Sequence, residues 1–340
     1  MINMFQPVFD EQDVQYVSDA IMSQWMNESK RTKALEMGLR ETITSDDSYN
    51  VNVICNGTMG LFSALRCVGV TRGDKVLVPD HTAIGVVNAV KLCGAYPMIH
   101  DVDPVYGNMV FTDLPKVDAV LAVHNNGVDC NIDTLREHYP DTPIVEDMSQ
   151  AFGGVYQGTK DNIGTKGDIA VGSLSTTKII TMGQGAFIVT NTEKDYMNVK
   201  ALKDQGRVDN SDNYIHEGYN FKVTEMQSAL GLSQLTKFSK RCRHMRRLLG
   251  YYQKGLGMPK IYKGYLPWRI MYDGKVPVND VFRYREAFKP LHLQSNIQPF
   301  LTNTPKFSGA WEYSRRYTCL PCSSNLTKVQ VEKICEVILE

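Results

Sequence analysis

An α/β fold, with a mostly parallel sheet covered on both faces by helices, is predicted by two features of this chain. Short apolar runs recur along its first half as VNVIC, KVLVPD, YPMIHDVD, AVLAVHN and IVEDMS. Each is followed by a loop and helix, the alternation that βαβ units produce. Apolar residues make up 43% of the 340, which suits packed cores and argues against disorder. That length favours two domains, a larger one over 1–235 and a smaller one over 236–340.

Taken in order, residues 9–26 read as a helix, with Val14, Val17, Ile21 and Trp25 at helical spacing. VNVIC is a strand, Asn56-Gly57-Thr58 a turn, and the segment after it a helix. KVLVPD is a strand, and AIGVVNAVKLCG is a helix closed by Gly94. IAVGSLS and AFIVTN add strands on either side of Lys178. Residues 224–256 read as one long helical stretch bridging to the second unit. The chain then becomes irregular, with Gly or Pro at 255, 257, 259, 264 and 267, and closes on a helix capped by Thr327.

Composition excludes several function classes. Lys plus Arg and Asp plus Glu are 37 each, so no global positive field draws in nucleic acid or an anionic membrane. No apolar run approaches the ~20 residues of a membrane helix. The N-terminal MINMFQPVFDEQD lacks a basic-then-apolar signal, so a cytoplasmic protein is the expectation. The eight cysteines sit mostly in apolar contexts, and Cys319-Leu-Pro-Cys322 lacks a second ligand pair, so neither disulfide chemistry nor a metal is expected. The sequons at Asn27, Asn56 and Asn325 carry no meaning inside a cell.

The chemistry centres on Lys178, crowded by Ser173, Ser175, Thr176 and Thr177 and lying downstream of Asp147 and Gln150. A lysine amine can form a Schiff base with an aldehyde cofactor, and a nearby carboxylate can keep a ring nitrogen protonated. Asp147 alone could equally be a cap or a metal ligand. The Asn56-Gly57-Thr58 turn opens a helix and could hold a phosphate, or Thr58 could simply cap it. Ser173 is near enough to add a hydroxyl to the same phosphate.

Four ordered blocks carry a family resemblance: CNGTMGLFSAL, the run from VEDMSQAFGG to MGQGAFIVTN, LKDQGRV with GYNFKVTEMQSALGLSQL, and LPCSSNLT. With them the chain resembles the DegT/StrS-type sugar-nucleotide aminotransferases, which have the type I, aspartate aminotransferase-like fold and use pyridoxal 5'-phosphate. The resemblance implies that Lys178 carries the cofactor and moves the proton. It implies that Asp147 pairs with the pyridinium nitrogen and Gln150 contacts the ring oxygen. Gly57, Thr58, the Met59 amide and Ser173 would hold the phosphate. Asn220 would reach the cofactor of the neighbouring subunit, making a homodimer with shared sites. His124, near the cleft, and Lys222 are the implied substrate contacts, although a strand-end His124 with satisfied hydrogen bonds is an equal alternative.

Departures from the family pattern bear on the substrate. The usual stacking aromatic is replaced by Ala83 after Pro79-Asp80-His81-Thr82, so either His81 covers the ring or the stacking is lost. The usual Gly-Glu-Gly-Gly reads Gly183-Gln184-Gly185-Ala186, and Lys222 stands where an arginine is usual. The basic run 237–247 reads as a solvated helix face, with contact to a substrate diphosphate as the alternative. The expected reaction moves an amino group from L-glutamate to a nucleotide-linked keto sugar, first a 4-keto-6-deoxyhexose, for a surface polysaccharide. A 3-keto sugar or keto-cyclitol is the alternative acceptor, and a non-catalytic cofactor-binding regulator the alternative class. Lys178 favours amination, since sugar-dehydrating relatives have histidine there.

Overall fold

The computed structural model describes residues 1–207, 213–214, 217–301 and 307–340. Seven strands form the central sheet: β1 (Asn50–Ile54), β2 (Lys75–Pro79), β3 (Tyr96–His100), β4 (Ala119–Val123), β5 (Ile144–Asp147), β6 (Ile169–Ser173) and β7 (Ala186–Thr190). Their spatial order is β1-β7-β6-β5-β4-β2-β3. The pairs from β3 across to β6 are parallel. Only β7 runs antiparallel, to both β6 and β1. The fold is therefore of the expected type I class. Strands β4, β6 and β7 are buried along their whole length, which explains why they read as unbroken apolar runs.

This order places the C-terminal ends of β2, β4, β5 and β6 side by side. The residues that leave those ends are His81, His124, Asp147 and Ser173. Such an edge is where open α/β sheets bind ligands.

Helices α1 (Glu11–Met22) and α2 (Lys30–Ile43) precede the sheet. Helices α3 (Gly57–Cys67) and α4 (Ile84–Leu92) cross between β1, β2 and β3 and pack on one face with Leu61, Phe62, Val87 and Val90 buried. Helix α5 (Ile132–His138) joins β4 to β5, and α6 (Glu193–Lys203) follows β7. The β3–β4 and β5–β6 connections contain no helix, so the regular alternation expected for them is interrupted. Helices α2 and α6 were not anticipated.

Two other expectations are corrected. The first helix spans 11–22, not 9–26, and most of its apolar set is exposed. Val14, Ile21 and Trp25 are 68%, 51% and 59% exposed, while Asp13 and Ala20 are buried. Helical spacing reports a stripe but not what the stripe faces. Asp13 instead accepts hydrogen bonds from Ser233 Oγ at 2.6 Å and Gln234 Nε2 at 2.9 Å, fastening α1 to helix α7 (Glu225–Thr236). The long helical stretch also breaks at Lys237 into α7 and α8 (Phe238–Leu256).

The basic run on α8 is only partly solvated. Lys240, Arg243 and Arg247 are exposed, but Arg241 is buried and donates to the carbonyls of Val8 at 2.8 Å and Ile179 at 3.1 Å. Arg241 thus ties α8 to the loop that carries Lys178.

Strands β8 (Ile270–Asp273), β9 (Arg285–Glu286) and β10 (Tyr317–Leu320) form a separate antiparallel sheet in the order β8-β10-β9. Helices α9 (Ser308–Arg316) and α10 (Lys328–Leu339) complete the C-terminal region, and Thr327 with Gln330 forms a capping box on α10. One apolar cluster runs unbroken from Leu35 and Leu39 of α2 to Leu248 of α8 and Ile334 of α10. Among the described residues every cysteine is free, no group could hold a metal ion, and no helix is long and apolar enough to cross a membrane.

Candidate active site

Lys178 lies on the connection between β6 and β7. Leu174 N–H donates to Gly185 O at 2.9 Å, and Met182 N–H to Leu174 O at 3.0 Å. These bonds close the base of the loop, and a left-handed Gly183 (φ +82) lets the chain turn back. The Lys178 ammonium sits 3.9 Å from the centre of the Trp268 ring, and Trp268 Nε1 donates to Thr177 O at 2.9 Å. Burial pulls its pKa down to about 7, Asp147 resists that shift, and Arg269 adds to it. A large share of the amine is therefore neutral and nucleophilic near neutral pH.

Lys178, Gln150 and Ser173 line one pocket with Phe152, Pro267 and Trp268. Asp147 is 5% exposed, and its Oδ1 accepts from Ser149 N–H at 2.9 Å. Its other oxygen takes no hydrogen bond among the described residues, so the carboxylate serves as a local cap and still presents an acceptor. Gln150 accepts from Asn126 N–H at 2.9 Å through Oε1, which leaves its amide NH₂ as a donor.

The start of α3 meets this pocket from the side. A Cβ on Gly57 would stand 3.7 Å from Ser173 Oγ, and one on Gly85 would stand 2.8 Å from Thr58 Oγ1. Glycine at 85 therefore lets α4 approach the Thr58 hydroxyl. The N-terminus of α3 offers the Gly57 and Thr58 amides and a favourable dipole to an anion. The Met59 amide, expected to help hold a phosphate, is already engaged: it donates to Asn56 Oδ1 at 3.0 Å as part of the N-cap.

His81 is 1% exposed, and Thr82 beside it 2%. Among the described residues neither ring nitrogen of His81 has a hydrogen-bonded partner of good geometry, nor do Thr82 Oγ1 and Asn125 Oδ1. Burial holds the His81 pKa down at about 4, with the Asn125 side chain opposing and Arg269 reinforcing it. The neutral ring packs on Tyr313 at 4.5 Å and Phe288 at 5.8 Å between centroids. Buried polar atoms without partners are uncommon in a finished fold.

Two sequence candidates are not brought to the pocket as expected. His124 is fully buried: its Nε2 lies 2.8 Å from Glu146 Oε2, and its Nδ1 accepts from Cys130 N–H at 3.1 Å. Both nitrogens are engaged within the chain, the arrangement that the strand-end alternative describes. Its partner Glu146, which burial would raise, is instead held low by donors from His124, Tyr156 and Gly167. Lys222 is paired with Asp204, which also binds Arg207 at 2.9 Å. Its charge is met within the chain. Asn220 is exposed, next to Phe221, whose carbonyl accepts from Cys55 N–H at 2.9 Å just before α3. Val208, the last residue of LKDQGRV, lies outside the described residues.

Sequence reasoning missed Trp268, Arg269, Phe288, Asn126 and Tyr313. Trp268, Arg269 and Phe288 come from the irregular stretch after α8, Asn126 from a strand-end turn and Tyr313 from α9, which the sequence reading did not identify. Lone aromatics there gave no signal beyond the Pro267-Trp268 pair.

An amine, a carboxylate with a free oxygen, an amide donor, two hydroxyls and a helix N-terminus together fit a phosphorylated pyridine aldehyde. Comparison with known proteins agrees. The model of the DegT/DnrJ/EryC1/StrS aminotransferase family matches residues 7–263. The chain belongs to that family. A GDP-perosamine synthase of Vibrio cholerae is 29% identical over 99% of this chain and 98% of its own. The aminotransferase TlmJ of Streptoalloteichus hindustanus superimposes with a TM-score of 0.88 at 24% identity, covering 99% of this chain and 98% of its own. Spr1654 of Streptococcus pneumoniae, solved in PLP and PMP forms, reaches TM-scores of 0.87 and 0.88 at 19% and 18% identity. Its PLP form covers 98% of this chain and 97% of its own, and its PMP form 99% and 98%. This DegT-family protein is a pyridoxal-phosphate-dependent sugar aminotransferase.

Proposed function

We propose that the protein transfers the amino group of L-glutamate to a nucleotide-linked 4-keto-6-deoxyhexose, giving a 4-amino-4,6-dideoxy sugar nucleotide for a surface polysaccharide. The carrying observation is a near-neutral Lys178 amine sharing a pocket with Gln150 and Ser173 and sensing Asp147. The full-length similarity to a GDP-perosamine synthase supports the choice of sugar. Bound pyridoxal phosphate supplies an aldehyde and an electron-withdrawing ring that lets a C–H bond beside an amine ionise.

The residues divide the remaining work. The Lys178 amine binds the aldehyde and then moves the proton between the substrate carbon and the cofactor. The free oxygen of Asp147 holds the proton of the ring nitrogen. Gln150 donates its amide to the ring oxygen, and Gly57, Thr58 and Ser173 hold the phosphate. His81, neutral and aromatic, packs beside the ring in place of the missing aromatic at 83. Residues 1–235 act as the cofactor-binding unit and 236–340 as a smaller unit that covers it.

The test is direct. Glutamate should convert the visible spectrum of the purified holoenzyme, and a panel of nucleotide-linked 4-keto sugars, 3-keto sugars and keto-cyclitols should then restore it selectively. Absence of any glutamate-driven change would remove the proposal.

The Lys178 pKa adds a pH signature. Binding of the aldehyde to cofactor-free protein should accelerate as pH rises through about 7, not through the 10.5 of an ordinary lysine. Between those values the unfolded chain binds more protons than the folded one, so this group makes cofactor-free protein more stable as pH rises. Rates of cofactor uptake and melting temperatures across pH 6–10 check both signs.

The same proposal includes a homodimer with shared sites. The exposed apolar Val14 and Ile21 of α1, Trp25 just beyond its end and the exposed Asn220 support it. Trp25→Glu should shift the mass measured by light scattering toward the 38.3 kDa monomer and weaken cofactor retention. A wild-type protein that is already monomeric would sink this part.

A further inference from the structure

Trp268 stands on the irregular stretch after α8, yet its ring is fixed by three contacts. Its Nε1 donates to Thr177 O at 2.9 Å, Phe288 stacks on it at 6.2 Å between centroids, and the Arg269 guanidinium lies 3.8 Å from its centre. Thr177 is the residue before Lys178, so the indole is tied to the very loop that carries the reactive amine. That amine rests 3.9 Å from the centre of the same ring.

No hydrogen bond or ion pair holds Lys178 Nζ among the described residues. Lys178 and Trp268 together line two pockets, one with Gln150 and Ser173, the other with Val8, Arg241 and Met245. A flexible four-carbon stem could turn into either, and only the first contains residues proposed to hold the cofactor. In the proposed reaction the donor's amine displaces Lys178 from the cofactor, and the freed lysine must then take a proton from the donor's α-carbon. A misplacement of about 1 Å at that moment can cost roughly a hundredfold. An ion pair with a carboxylate would hold the amine only by keeping it protonated, and a protonated amine cannot act as the base. An aromatic face holds it by contact and weak attraction alone.

We propose that Trp268 is a positioning residue for Lys178: its ring is the seat on which the amine rests whenever it is off the cofactor, aimed at the reacting carbon rather than into the second pocket. This rests on the aminotransferase reading of Lys178.

The first test uses cofactor-free protein and needs no turnover. A protonated amine against an indole quenches its emission, so Trp268 fluorescence should rise as pH increases through about 7, where Lys178 loses its proton. Asp147 is the charge that favours the protonated form and Arg269 the one that opposes it, with Arg241 of α8 beside the second pocket. The other two tryptophans, Trp25 and Trp311, are 59% and 45% exposed and give a constant background. Lys178→Ala should abolish the step. A flat wild-type titration, or a step that survives in Lys178→Ala, would overturn the proposal.

The second test follows the glutamate half-reaction. Trp268→Leu should lower its maximal rate roughly 10- to 100-fold, with half-saturating glutamate changed less than about threefold. Glutamate deuterated at the α-carbon should show a larger isotope effect in that variant than in wild type, because the proton transfer itself has slowed. Trp268→Phe keeps a ring face and loses the N–H, so it should stay within about threefold of wild type. An unchanged rate or isotope effect in Trp268→Leu, or equal losses in both variants, would also overturn the proposal. The wild-type titration decides if Trp268→Leu does not fold. A fluorescence step without any glutamate-driven change would remove the proposed function and leave the amine's seat on Trp268 standing.

Discussion

Lys178→Ala should fold normally, lose the visible band of the lysine-bound cofactor, and fall roughly a thousandfold or more in turnover. The side chain touches little that stabilises the molecule: its ammonium rests on Trp268, and Trp268 is independently anchored to Thr177 O. Removing it also eliminates the desolvation of a partly charged amine, so the melting temperature should hold or rise. The loss is thus chemical rather than structural. Added small primary amines should restore part of the rate, because they can occupy the vacated space and move the same proton. A variant that turns over glutamate and keto sugar at near-normal rates without added amine would end the assignment of Lys178.

Asp147→Asn tests the second pillar. The substitution is isosteric and keeps an Oδ1 acceptor for Ser149 N–H, so the local cap at the end of β5 survives. What disappears is the negative charge facing Lys178 and, in the loaded enzyme, the ring nitrogen. Turnover should drop about a hundredfold or more, an effect of the size seen when one preorganised electrostatic partner is removed. Without Asp147, the Lys178 amine also loses the one neighbour that supports its charge, so its pKa should move further below about 7. The pH midpoint of cofactor uptake should shift down with it. Unchanged turnover with an intact fold would reduce Asp147 to a cap.

Several of these residues were legible before any fold was known. Strand ends announce themselves, because a run such as IVED must leave the sheet where its apolar residues stop, and Asp147 sits at that point. The Lys178 loop was equally visible, bracketed by two buried strands. His124 was less so. Sequence placed it correctly at the end of β4, yet only coordinates could tell that Glu146 and the Cys130 amide consume both its nitrogens. The pairing of Lys222 with Asp204 was no more legible, since the two stand at no readable spacing along the chain. On α1, periodicity located the helix but not what its stripe faces, because an apolar stripe is equally suited to a core or to another surface.

The sequence by itself marked the seven strands of the central sheet and the lysine, carboxylate and hydroxyl candidates that, with the family resemblance, pointed to the reaction class. These are local properties, carried by residues whose meaning depends on a few neighbours. Tertiary structure alone decided which charges remain unspent. Arg269 and Lys222 are both cations in the chain, but folding neutralises Lys222 against Asp204 and strands Arg269 on Trp268 without an anion. That difference arises from contacts between segments far apart along the chain. No local pattern encodes it, because the cost of a desolvated charge depends on everything packed around it.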